Sequence, residues 1–192
     1  MNDYDPILDL IRADDLYQRN LDWGKPRAGH PEGSIRQHIH DLEQNLDRLR
    51  SKLADDETAK LRILIHVHDT FKGEAREGVA ITDSQSHAPL AKKFLSDFCT
   101  DPVLLTIMQY HDEPYALWKK HLAGRDPRER FERLITTITD WDLFLAFLIV
   151  DGCTAGKSRE PLLWFFQLIR ERIKSRVNAD WIIEPANQTD CP

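Results

Sequence analysis

LRILIHVHDTFK, residues 61–72, carries an apolar run directly into an adjacent His68 and Asp69. Leu61, Ile63, Leu64, Ile65 and Val67 make the segment apolar almost all round, the pattern of a helix buried in the middle of a bundle. An imidazole and a carboxylate at the end of such a helix are expensive to bury unless something pairs with them. Two arrangements meet that need: a His–Asp hydrogen bond that fixes the helix end, or a cation between the two side chains. Successive helix residues point about 100° apart, so the side chains of His68 and Asp69 diverge, yet both can reach one ion lying between them.

The 192 residues suit one domain, expected to span 1–192 with its core at about 30–176, and the chain is long enough to bury a substantial core. Lys and Arg number 26 against 32 Asp and Glu, a net charge of −6, which argues against non-specific binding to nucleic acid or an anionic membrane. The three cysteines, Cys99, Cys153 and Cys191, are too few and scattered for a disulfide framework or a cysteine-rich zinc site. The opening MNDYDPILDL has no basic and then apolar character of a secretory signal. The longest apolar run, Leu143 to Val150, falls far short of the ~20 residues of a membrane span. Together these features point to a cytoplasmic protein.

Strand-like alternation is scarce, and helix punctuation recurs. Asp5-Pro6, Asp101-Pro102 and Asp126-Pro127 each set an N-cap acceptor before a proline suited to the first helical turn. Ser34-Ile-Arg-Gln37 has the form of a capping box. The spacing predicts helices over 6–20, 35–53, 56–71, 87–98, 102–112, 114–123, 127–151 and 159–176, an all-α helical bundle. Two polar, glycine-bearing connections, 22–34 and 72–86, are long enough to carry function.

His38 falls in the apolar stripe of the second helix, one turn after Ile35 and one turn before Leu42, whereas His40 points away. His87 opens a later helix, and His111 continues the inner face set by Leu104, Ile107 and Met108. Asp140 and Asp151, close to three turns apart, compete for one further position; Asp151, at the end of LFLAFLIV, is the harder to explain as solvated. Lys72 stands one turn beyond the His68–Asp69 pair, either as a solvated helix end or as a contact for an anion. Imidazole and carboxylate donors on separate helices suit one or two divalent ions such as Mn, Fe, Zn, Co, Ni or Mg, and a metal so held creates hydroxide near neutral pH.

In order and context this series resembles the HD-domain superfamily of metal-dependent phosphohydrolases, over about residues 30–155. The resemblance rests on EGSIRQH ending at His38, ILIHVHDTFK with its lysine three residues past the doublet, His87, YHDEP at His111, and a last aspartate closing a hydrophobic helix. EGSIRQH and FLIVDGCTAG are also similar to the HD modules attached to tRNA nucleotidyltransferases. The resemblance implies that His38, His68, Asp69 and Asp151 hold a first metal. It further implies that His87 and His111, with Asp69 bridging, hold a second metal or phosphate. Asp69 and Lys72 would be the catalytic pair, with Lys72 at the phosphate of a small substrate such as a nucleotide. The chain departs from the pattern in having Asp112, not a second histidine, after His111. The alternative reading is an HD-fold metal- or nucleotide-binding regulatory module with little catalysis.

Overall fold

Residues 3–184 are described by a computed structural model, in the order α1 (Asp5–Ala13), α2 (Asp15–Asn20), α3 (Ile35–Leu49), α4 (Asp55–Val67), α5 (His87–Ser96), α6 (Pro102–Tyr110), α7 (Glu113–Leu122), α8 (Arg128–Thr137), α9 (Trp141–Gly152) and α10 (Glu160–Ile169). Short 3-10 turns follow α3 and precede Ile182. The fold is all-α: among the described residues there is no strand, only an isolated bridge between Arg27 and His30. Residues 185–192, Cys191 among them, lie outside the described residues, as do residues 1–2.

Helix α4 lies in the middle because its second half, from Leu61 to Val67, is apolar on nearly every side, with Arg62 and His66 its polar members. Leu61, Ile63, Leu64 and Ile65 are wholly buried, and α4 packs against α1, α3, α6 and α9. Helix α9 is its counterpart, with every residue from Leu143 to Val150 buried. Helix α3 is amphipathic and offers both of them its buried stripe, Ile35, His38, Ile39, Leu42, Leu46 and Leu49. Asn45 on that stripe donates to the Val150 carbonyl at 2.9 Å, which ties α3 to the last turns of α9. One cluster of buried apolar side chains runs from Leu8 to Ile183, so the core draws on chain outside residues 30–176.

The far side of α4 is tied by polar contacts. Arg12 Nη2 donates to His66 Nε2 at 3.0 Å, which leaves Nδ1–H of His66 to donate to the Tyr17 oxygen at 2.5 Å. Burial pushes the His66 pKa down, so the ring stays neutral in this role.

Several expected boundaries shift, each for a local reason. The helix expected over 6–20 is broken at Asp14, whose carboxylate caps α2 by accepting from Tyr17 N–H at 2.9 Å. The helix expected over 127–151 is two helices. Thr136 and Thr137 turn their hydroxyls back onto the Arg133 carbonyl, Ile138 goes extended, and Asp140 caps α9 through Leu143 N–H at 2.9 Å. Helix α4 ends at Val67, not residue 71, and the chain continues in turns through Lys72. Helix α10 stops at Ile169. Ser34 does cap α3, accepting from Gln37 N–H at 3.2 Å, but the Gln37 amide turns to Asp41, so the box is half made.

Two measurements test this packing. Ile65→Ala, at a fully buried site, should cost about 2–5 kcal/mol in urea unfolding, whereas Leu10→Ala, at 60% exposure, should stay within about 0.5 kcal/mol. Equal costs would remove α4 from the centre. Burial raises the Tyr17 hydroxyl from 10.0 to about 12. Its neutral form is therefore favoured by folding, so that contribution is intact below pH ~10 and is lost as pH climbs toward ~12. Tyr17→Phe should flatten that part of the stability profile.

Candidate metal centre

The ends of helices bring the chosen side chains together. His38 sits in the second turn of α3, His68 and Asp69 directly follow α4, His87 opens α5, His111 directly follows α6, and Asp151 lies in the last turn of α9. His38 Nε2 is 3.0 Å from Asp151 Oδ1 and 3.7 Å from Asp69 Oδ2. His68 Nε2 is 3.4 Å from Asp69 Oδ2 and 3.7 Å from Asp151 Oδ1. Donors at metal–ligand distances of ~2.0–2.2 Å lie roughly 3.0–3.5 Å apart, close to the spacing of His38, His68 and Asp151, with Asp69 Oδ2 at their edge. The other oxygen of Asp69 faces a second group: Oδ1 is 3.8 Å from His87 Nε2 and 3.9 Å from His111 Nε2, and these two nitrogens are 3.2 Å apart. His38, His68 and Asp151 form one set able to hold a metal, and Asp69, His87 and His111 form another.

The protonation pattern suits a cation. His68 Nδ1 donates to the carbonyls of Leu64 and Ile65 at 3.2 and 3.1 Å, and His111 Nδ1 donates to Met108 O at 2.8 Å. Each backbone contact keeps the Nδ1 proton engaged and turns Nε2 inward, the usual second-shell arrangement of a metal-binding histidine. His68 Nε2 is buried and makes no hydrogen bond, a state that costs about 1–3 kcal/mol unless a partner is supplied. Without a metal, burial lowers the basicity of His68, but Asp69 and Asp151 outweigh it and raise the ring to about 10. Burial dominates at His111, which falls to about 4. Asp69 and Asp151 are both held well below the usual carboxylate range, against burial: Asp69 chiefly by His68 and Lys72, Asp151 chiefly by Lys157 and His38.

Three further residues belong to the site. Glu32, its side chain 5% exposed, places Oε1 3.0 Å from His38 Nδ1, at an angle that makes no hydrogen bond, and accepts from His30 Nδ1 at 2.9 Å. His38 and His30 hold its pKa near about 2 in spite of burial. Asp112 Oδ2 is 3.1 Å from His87 Nε2, so the aspartate after His111 supplies a donor where the sequence lacks a paired histidine. Lys157 donates to Asp151 Oδ1 at 2.7 Å, as Lys72 donates to Asp69 Oδ2 at 2.5 Å. Four carboxylates, Glu32, Asp69, Asp112 and Asp151, thus meet two ammoniums, leaving two negative charges in excess before any imidazole is protonated. The donor set fits a divalent ion in both chemistry and charge.

All the sequence-derived candidates except Asp140 gather here. Asp140 serves as the cap of α9, at the opposite end of that helix from Asp151. Glu32 opens the EGSIRQH stretch but had no role assigned from sequence, and Lys157 had none either, because both come from loops whose path is set by packing. Gly156 has φ +77, and a Cβ there would fall 2.8 Å from Pro31, so the Lys157 loop lies against the Glu32 loop. Arg159 fixes the same loop by donating to the carbonyls of Gly152, Cys153, Thr154 and Lys157.

A crevice lined by Trp23, Arg27, His30, His38, Asp69 and Lys72 leads from this nest to solvent, with room of about 10 Å³, roughly one water. A larger cleft of about 390 Å³ lies elsewhere, between α10 and the segment after it, and holds no converging ionisable groups. Among the described residues no helix is long and apolar enough to cross a membrane. No family model, no curated protein and no solved structure matches this chain.

Added Mn, Zn, Co or Ni should raise the melting temperature, by the equivalent of about 2.7 kcal/mol at a hundredfold excess over Kd. Asp69→Ala should abolish that rise, Glu32→Gln should weaken metal affinity about 10–100-fold, and His40→Ala, on the exposed side of α3, should leave it unchanged. Calorimetry with elemental analysis reads all three, and a wild-type chain that binds none of these metals would refute the centre.

Proposed function

We propose that the chain is a metal-dependent phosphohydrolase acting on a nucleotide or a related small phosphate ester. The observation that carries this reading is the doubly facing carboxylate of Asp69: each of its oxygens looks into a histidine group, and Lys72 sits on Oδ2 where the crevice opens. A divalent ion in such a nest supplies Lewis acidity and hydroxide near neutral pH. The order His38, His68-Asp69, His87, His111, Asp151 along the chain supports the HD-domain superfamily as its relationship.

The chain's own groups have separable parts. Glu32 orients His38 from behind, and the Leu64, Ile65 and Met108 carbonyls orient His68 and His111. Lys72, its pKa raised by Asp69 and Asp112 over the opposing effect of burial, remains an ammonium across the physiological range and can neutralise phosphate charge. Lys157 offers a second cation beside Asp151.

Turnover of a panel of nucleoside monophosphates, cyclic nucleotides and sugar phosphates, with each metal in turn, tests the proposal. Asp69→Ala should lose both metal and turnover, and Lys72→Met should keep metal while lowering kcat/KM about 10²–10³-fold. Full activity in Asp69→Ala would overturn the reading, and tight metal with no turnover of any ester would make the chain a binding module.

A further inference from the structure

Trp23 is 41% exposed although it lies beside the most enclosed charges in the molecule. The other large apolar side chains left in solvent, Leu10, Tyr115, Leu122 and Leu163, belong to α1, α7 and α10 and line no part of the crevice. Trp23 lines it together with Arg27, His30, His38, Asp69 and Lys72.

The backbone of Trp23 is tied down at both ends: its carbonyl accepts from Ile35 N–H at 3.0 Å, and its main-chain N–H donates to Asn20 O at 3.2 Å. Gly24 follows with φ +112, and a Cβ there would fall 2.3 Å from the Gly33 carbonyl oxygen, so the loop closes on itself beside α3. A Cβ at Gly73 would come within 2.6–2.9 Å of the pyrrole atoms of the indole. Only glycine leaves room for the ring on that stretch of backbone, and Gly73 is the residue after Lys72. Asn20 Nδ2 donates to Glu74 Oε1 at 2.8 Å and fastens the same two loops together. The fold therefore fixes an aromatic face next to the ammonium without burying it.

We propose that Trp23 is a stacking platform for the planar base of the substrate, which makes the preferred substrate class nucleoside monophosphates rather than sugar phosphates or other aliphatic phosphate esters. This rests on the reading of the site as one for phosphate esters. With the phosphate at Lys72, the ester substituent leaves the crevice past the indole, and a base stacks there through its π-face whatever its hydrogen-bonding edge. Arg27, exposed on the same rim, adds positive charge without selecting a base.

The test measures equilibrium binding to the Mn-loaded full chain, using non-hydrolysable phosphonate analogues of adenosine and cytidine 5′-monophosphate and of ribose 5-phosphate. Trp23→Ala should weaken both nucleoside analogues about 5–150-fold and leave the ribose analogue unchanged, while Trp23→Phe keeps most of the affinity. Unaltered melting temperatures show that both variants are folded. Equal affinity of the wild type for all three analogues, or an equal loss for all three in Trp23→Ala, overturns the platform. Because binding is read without turnover, base-selective binding with no hydrolysis would sink the enzyme and keep the platform, and hydrolysis indifferent to Trp23 would do the reverse.

Discussion

The constraint on which the centre depends is the carboxylate of Asp69, about 5% exposed and still charged. A buried carboxylate is tolerated only when it is paired and fully solvated by protein groups. Here the bundle supplies those groups from several helices: His68 from the same turn, His38 from α3, His87 and His111 from the ends of α5 and α6, and Lys72 three residues on. The exit of α4 is shaped by the same need. By unwinding after Val67, the chain lets Asp69 face the nest and Lys72 return to it, while Thr70 secures the turn by donating to the His66 carbonyl at 2.6 Å.

The apolar shell makes the polar centre rigid. Helices α4 and α9 are buried nearly all round, and Phe147 of α9 lies edge-on to both His68 and His111, with ring centroids 5.2 and 6.1 Å away. These imidazoles therefore have few rotamers open to them, and their Nδ1–H groups are already committed to backbone carbonyls. A preorganised donor set of this kind binds a cation without first ordering its ligands.

The sequence revealed what periodicity encodes. A helix apolar on every side has to be central, and a histidine in the stripe of α3 has to face inward, so the fold class and most of the centre could be read from Leu61 to Asp69, His38 and Asp151. Short-range competition was harder to read. The threonines at 136 and 137 and the cap at Asp140 split an apparently continuous apolar helix, because side-chain hydrogen bonds to the backbone outweighed the hydrophobic pattern. The loop-borne members of the site, Glu32 and Lys157, had their roles hidden for a different reason. They meet His38 and Asp151 only because the two loops press together at Pro31 and Gly156, a contact between distant parts of the chain that no local spacing records.

The charges of the nest are balanced at the mouth of the crevice. Lys72 and Lys157, with side chains 22% and 18% exposed, lie on Asp69 and Asp151 as counter-ions. A divalent cation among the histidines would take over the neutralisation of those carboxylates and leave the ammoniums, on flexible four-carbon stems, able to meet an anion. On the proposed function, cation and phosphate occupancy would be coupled through the same two carboxylates, each favouring the other.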